Sequence, residues 1–193
     1  MTFTAIFGGT FNPFHKGHYD ILASLCKNNN IEKVLVLPDR IPPHKVCNFL
    51  APDLDRIEMC RIACNDFQKA ELCLIEFERE GKSYTYDTVT LLKKMYPDTE
   101  FAVVVGADML ASLDTWYNFE NLKKSVSFLA FNRDGSKEFL NNLNRIRAMG
   151  ADVTVMEDII TPVSSTQLRE KIKAENIPPK IYDYIKEKGL YNA

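Results

Sequence analysis

Phe101-Ala102-Val103-Val104-Val105 is apolar at every position, and this run constrains the fold more than any other stretch of the chain. An exposed antiparallel strand alternates apolar and polar residues, whereas a central parallel strand is covered on both faces and stays apolar throughout. Burying both faces takes helices on both sides of the sheet. Similar short runs enriched in β-branched and aromatic residues recur at Phe3 to Phe7, Val34 to Leu37, Leu72 to Ile75, Val126 to Phe131 and Val153 to Met156. Between them lie stretches of helical period, predicting helices from about Lys16 to Lys27, Asp53 to Asp66, Tyr84 to Met95, Lys137 to Met149 and Ser165 to Glu175. A last helix follows Pro178-Pro179 and stops at Gly189. The alternation reads as repeated βαβ units: an α/β chain with a Rossmann-like, doubly wound parallel sheet in three αβα layers.

The 193 residues suit a single domain, 1–193. No repeat, low-complexity tract or linker interrupts them, and the longest unstructured stretch is Pro38 to Pro52, a length that often carries function. Lys and Arg number 24 against 26 Asp and Glu, so no overall field favours nucleic acid or an anionic membrane. An anion site must therefore be built locally. The N-terminus has neither the basic nor the apolar region of a signal peptide, and no apolar run nears the roughly 20 residues that span a bilayer. Cys26, Cys47, Cys60, Cys64 and Cys73 are odd in number and form no paired framework. Reduced core thiols and a cytoplasmic location are the expectation.

Phe3 to Phe7 runs into Gly8-Gly9-Thr10 and then a helix, placing the glycines at the carboxyl edge of the first strand. Ligands of open α/β sheets bind at that edge, where a helix N-terminus favours anions. Within Gly8-Gly9-Thr10-Phe11-Asn12-Pro13-Phe14-His15-Lys16-Gly17-His18 the two histidines are spaced i, i+3 at the mouth of the helix, which turns both rings toward the phosphate crevice. An imidazole N–H can donate to oxygens that gain charge in phosphoryl chemistry. Surface or capping histidines are one competing reading; zinc bound by His15, His18 and His44 is another, but helical zinc pairs favour i, i+4 spacing and no carboxylate completes the set. Cys60 and Cys64 have i, i+4 spacing but lack a second pair.

Two further segments belong beside this turn. Ser164 with Gln167 has capping-box spacing and predicts a helix start, while Ser165 and Arg169 stack a hydroxyl, backbone N–H groups and a guanidinium at one helix end. Gly106-Ala107-Asp108 follows the buried strand. With strand order 3-2-1-4-5 it lies across the topological switch point from Gly8-Gly9. Asp108 then either caps a helix or accepts hydrogen bonds from a ligand's sugar.

Together these residues resemble the nucleotidyltransferase superfamily with the His-x-Gly-His signature, a Rossmann-like group related to class I aminoacyl-tRNA synthetases. Over Thr4 to Tyr191 the chain looks most like the bacterial nicotinate-nucleotide adenylyltransferases. Pro42-Pro43-His44-Lys45, Ser83-Tyr84-Thr85-Tyr86-Asp87-Thr88 and Gly106-Ala107-Asp108 followed by Trp116 carry that narrower likeness. The resemblance implies the three-layer nucleotidyltransferase fold and transfer of the adenylyl group of ATP to nicotinate mononucleotide, giving deamido-NAD and pyrophosphate in NAD biosynthesis. Mg²⁺, carried mainly by the phosphates with no protein ligand named, is implied as well. His15, His18 and Arg169 become the catalytic residues by this likeness. Gly8, Gly9, Thr10, Phe11, Gly106, Asp108, Ser165 and Thr166 surround ATP, with the C-terminal helical part, about 164–193, completing that site. His44, Lys45, Thr85, Trp116 and Arg133 fall to the mononucleotide.

Trp116 is thus either a stacking partner for the pyridine ring or ordinary core, and Thr85 either starts a helix or belongs to a carboxylate-receiving helix end. Asn12 stands where many relatives have Asp, and Phe131-Asn132-Arg133-Asp134-Gly135 lacks the usual proline after arginine. Competing readings are a sister transferase for nicotinamide mononucleotide, phosphopantetheine or a phosphoalcohol, and a non-catalytic nucleotide sensor. A nicotinamide-dependent dehydrogenase is disfavoured because Gly8-Gly9-Thr10 lacks the G-x-G-x-x-G spacing. A homo-oligomer is compatible with all of these.

Overall fold

In the computed structural model, residues 2–41, 50–79, 81–132 and 136–192 are described. Among them six strands, β1 (Phe3–Gly9), β2 (Ile31–Pro38), β3 (Ala70–Leu72), β4 (Phe101–Gly106), β5 (Ser127–Phe131) and β6 (Val153–Met156), form one sheet in the order β3-β2-β1-β4-β5-β6. Every neighbouring pair is parallel. The order extends the expected 3-2-1-4-5 by one strand at its edge.

Successive residues of the central strands feed two separate cores, as the two-residue period of a pleated strand requires. Ala5, Phe7, Ala102 and Val104 join the core under α1 (Lys16–Lys27), α2 (Asp53–Cys64) and α8 (Pro179–Glu187). Ile6, Phe101, Val103 and Val105 join the core under α3 (Thr85–Met95), α5 (Phe119–Ser125) and α6 (Lys137–Ala148).

Two expected elements differ, and two short helices are unexpected. The third strand is Ala70–Leu72, earlier than the Leu72 to Ile75 run. Cys73 still donates its N–H to Val36, after which the chain leaves the sheet and Ile75 is apolar because it packs in the α3-side core. The helix from Ser165 ends at Glu170 as α7, because Lys171 turns extended and brings Ile177 into the opposite core. Between β4 and β5 lie two short helices, α4 (Ala107–Ala111) and α5, too brief for a periodic signal.

The fold's useful irregularity is a split at the switch point. β1 pairs with β4 only as far as Ile6 opposite Val103. Beyond that, Gly8 and Gly9 pair with Leu37 and Pro38 of β2, while Val104 to Gly106 pair with β5. Gly8-Gly9 is therefore still strand rather than turn, and its other edge borders a crevice.

Candidate active site

A cavity of about 570 Å³ occupies that crevice. The residues assigned to ATP by resemblance (Gly8, Gly9, Thr10, Phe11, Gly106, Asp108, Ser165 and Thr166) all line it. His15, His18, Arg169, Thr85 and Trp116 line it too. His44, Lys45 and Arg133 lie outside the described residues.

The histidines are fixed by the start of α1. His15 is its N-cap and His18 its third residue; each Nδ1 accepts the other's backbone N–H at 3.3 Å. This reciprocal cap satisfies donors that a helix start otherwise leaves unpaired. The rings stack with centroids 3.6 Å apart. Because each Nδ1 is an acceptor, a neutral ring carries its proton on Nε2. Gly17 between them faces the backbone: a Cβ there would stand 2.8 Å from the Thr161 carbonyl oxygen. The glycine of the motif therefore allows close packing of α1 on the segment before α7.

The turn after Gly9 is locked from below. Phe11 adopts a left-handed φ of 47°, and its buried ring packs on Phe14 at 5.0 Å and on His18 at 5.1 Å. A cis peptide joins Asn12 and Pro13. Arg56, with no exposed surface, donates to the Thr10 carbonyl at 3.0 Å, the Asp39 carbonyl at 2.7 Å and Asp53 at 2.7 Å. Thr10 in turn donates its hydroxyl to Asp39 at 2.9 Å. Asn12 ties in the far end of the chain: its side-chain oxygen accepts from Ala51 N–H and from the Tyr191 hydroxyl at 2.7 Å. Burial pushes the Tyr191 hydroxyl well up, keeping it a donor.

Arg169 donates to the Asn12 carbonyl at 3.0 Å and to Thr166 at 2.9 Å, so its guanidinium spans from α7 to the turn after Gly9. Ser164 is the N-cap of α7 but makes no side-chain cap bond, so the expected capping box does not form. Ser164 lines the cavity instead. Asp108 is not a cap either: Gly106 holds the cap position of α4 and Asp108 is its second residue.

The opposite end of the cavity is built differently. α3 begins at Thr85 behind Tyr84 with no side-chain cap; the Asp87 and Thr88 N–H groups donate to the Tyr84 carbonyl at 3.1 and 3.2 Å, while Thr85 itself lines the cavity. Trp116 packs partly on the α3-side core and also lines the cavity. Tyr117 is 52% exposed and leans on Tyr84, centroids 4.7 Å apart. Beneath them Glu76 is buried; Thr88 donates to it at 2.9 Å, and Arg79 donates to Thr88 at 2.8 Å. Burial raises the Glu76 carboxyl above its ordinary value, and bonds from Ser83 and Thr88 partly offset this.

Sequence reasoning missed Arg56, Asp39, Glu76 and the Asn12–Tyr191 bond. Only Arg56 left a trace: with Cys60 and Ala63 it shares the buried face of α2, a charge in an apolar register. Among the described residues, no group of three or more His, Cys, Asp or Glu could hold a metal ion. Burial makes Cys60 and Cys64 poor thiolates, Cys64 pushed up to about 12. No helix among the described residues is long and apolar enough to cross a membrane.

A family model described as cytidylyltransferase-like matches residues 6–171. The nicotinate-nucleotide adenylyltransferase of Bacillus subtilis is 35% identical over 193 residues, covering 97% of each chain. A probable nicotinate-nucleotide adenylyltransferase of Fusobacterium nucleatum is 37% identical over 88% of this chain and 86% of its own. Among solved structures, the nicotinic acid mononucleotide adenylyltransferase of Plasmodium falciparum complexed with NaAD superposes with a TM-score of 0.76 at 22% identity. It covers 100% of this chain and 98% of its own, and so shares the fold.

Proposed function

Because the chain belongs to the cytidylyltransferase-like family and, within it, to the nicotinate-nucleotide adenylyltransferases, a family of enzymes, we propose that its cavity joins ATP to nicotinate mononucleotide, releasing pyrophosphate and deamido-NAD. The observation that carries this reading is the reciprocal cap. It fixes two imidazoles of α1 at the wall of a crevice that Ser165, Thr166 and Arg169 border from α7.

The mononucleotide's 5′-phosphate oxygen attacks the α-phosphorus of ATP, the bond to the bridging oxygen breaks, and pyrophosphate departs with that electron pair. No protein nucleophile is needed; the enzyme must bring two anions into line and neutralise charge. His15, His18 and Arg169 do this at the transferring and departing phosphates. Gly8, Gly9, Thr10 and Phe11 hold the triphosphate side. Gly106 and Asp108 face the adenosine, Asp108 accepting from the ribose. Ser165 and Thr166, in the C-terminal part that completes a single folded unit, close over it. In the other half, the first-turn amides of α3 at Thr85 receive the nicotinate carboxylate, and Trp116 stacks on the pyridinium, a contact of order 1 kcal/mol. His44, Lys45 and Arg133 serve the mononucleotide by resemblance.

Mg²⁺ fits as an ion carried by the phosphates and its own waters. Of the cavity carboxylates, Asp39 is already engaged by Thr10 and Arg56, and Glu76 by Thr88. The ion would supply charge neutralisation. Free ATP and a soluble mononucleotide as substrates suit a cytoplasmic enzyme.

Purified protein with ATP and either mononucleotide tests the reading by pyrophosphate release. The acid should exceed the amide in kcat/KM by about tenfold or more, as expected where a site is built around one polar group. Equal or faster turnover of the amide would overturn the substrate, and no release with either would overturn adenylyl transfer.

A further inference from the structure

α7 has six residues and no side-chain cap. A helix that short does not hold itself together in water, so its position is set by what is attached to it. Arg169 and buried Leu168 attach its far end. Its near end is attached to α1 by the segment leaving β6.

That segment lies along one face of α1. Gly17, Asp20 and Ser24 are spaced i, i+3, i+7, which puts them in a row. Gly17 backs on the Thr161 carbonyl. The Asp20 carboxylate accepts from the Thr161 N–H at 2.9 Å, and one and the same oxygen accepts from the Thr161 hydroxyl. One turn further on, Ser24 donates its hydroxyl to Asp158 at 2.5 Å. The segment thus runs antiparallel to α1, from Asp158 beside Ser24 to Thr161 beside Gly17 and Asp20. Three residues later the chain reaches Ser164 and enters the cavity wall.

Buried Ile160 and Val163 set how deep this strap sits. Apolar burial is non-directional and does not fix the strap's register along the helix. The directional bonds do that, and Asp20 makes two of them.

We propose that Asp20 is a positioning residue. Through Thr161 it sets where α7, and with it Ser165, Thr166 and Arg169, stands relative to His15 and His18, and so the gap the triphosphate must bridge. The catalytic consequence rests on the adenylyl-transfer reading above; the mechanical coupling does not. Asp20 is not among the residues lining the cavity, which makes its effect separable from theirs.

Two measurements on the full chain test the idea. Asp20→Ala should lower kcat about tenfold or more, the scale of a misplacement well under an ångström to one ångström in a catalytic group. KM for nicotinate mononucleotide should be unchanged. Amide hydrogen exchange at residues 165–170 should quicken while β1 and β4 stay protected. Asp20→Asn keeps an oxygen that can accept from Thr161 and should restore both readouts. Thr161→Val, which removes only the hydroxyl, gives an intermediate effect and serves if the alanine variant folds poorly. An unchanged kcat in Asp20→Ala would overturn the positioning role, as would exchange that rises equally in β1 and β4, or an asparagine variant as impaired as alanine. Were the wild type to transfer no adenylyl group, the function would fall, and the exchange at α7 would still decide whether Asp20 holds it.

Discussion

At the β1–α1 end of the cavity the polar groups are tied down before any ligand arrives. The two imidazole Nδ1 atoms cap α1, Arg56 holds the Thr10 and Asp39 carbonyls, and Asn12 binds Ala51 and Tyr191. At the α3 end, Tyr84 and Trp116 are only partly buried, Tyr117 is 52% exposed, and the helix start is uncapped. The contrast matches what the proposed function asks of each end. Stabilising charge on a transferring phosphate needs donors that do not reorganise, whereas holding a flat base needs a surface and a few polar groups.

Breaking the rigid end should cost most. Arg56→Met removes the donor that the Thr10 and Asp39 carbonyls share and the cation beside the mostly buried Asp39 carboxylate, and should lower stability by about 3 kcal/mol, measured as a fall in urea midpoint at unchanged slope. His18→Ala should fold and lower kcat about 10²-fold or more, as for loss of one preorganised donor; near-normal kcat would remove His18 from its role. At the softer end, Trp116→Ala should raise KM for the mononucleotide about fivefold, roughly 1 kcal/mol, and leave that for ATP unchanged. An equal effect on both substrates would erase the distinction between the ends.

The smallest effect concerns Glu76, under the mononucleotide half. Its carboxyl is raised in the folded protein, from an ordinary 4.5, chiefly by burial. Folding is favoured while it is protonated, and that contribution fades as pH rises through the folded value. Glutamine cannot ionise, so the Tm of Glu76→Gln relative to wild type should improve from pH 4.5 toward neutrality. A difference independent of pH would show that the two hydrogen bonds fully offset the burial.

The sequence was most legible where local pattern and tertiary role coincide. The apolar run Phe101 to Val105 is the central strand, and α1 spans Lys16–Lys27 as its period predicts. The cavity residues were readable too, because glycines, histidines and Ser165 to Arg169 each carry a local signature. What escaped was long-range. Asn12 and Tyr191 are 179 positions apart, and Asp20 and Thr161 are 141; no periodicity encodes such pairs. Ser164-x-x-Gln167 shows the converse, a local capping signature that does not form where the residue lines a cavity. His15 and His18, which the sequence also allows as surface or capping groups, do cap α1, and the reciprocal cap defines their neutral tautomer.

The division of the cavity is the central claim, and a crystal structure of the protein with deamido-NAD tests it most directly. The account predicts the pyridine ring against Trp116 with its carboxylate at the Thr85 helix start, and the adenylate phosphate beside His15 and His18, between Gly8-Gly9 and Gly106. A dinucleotide bound in the reverse direction, or outside the split between β1 and β4, would contradict it.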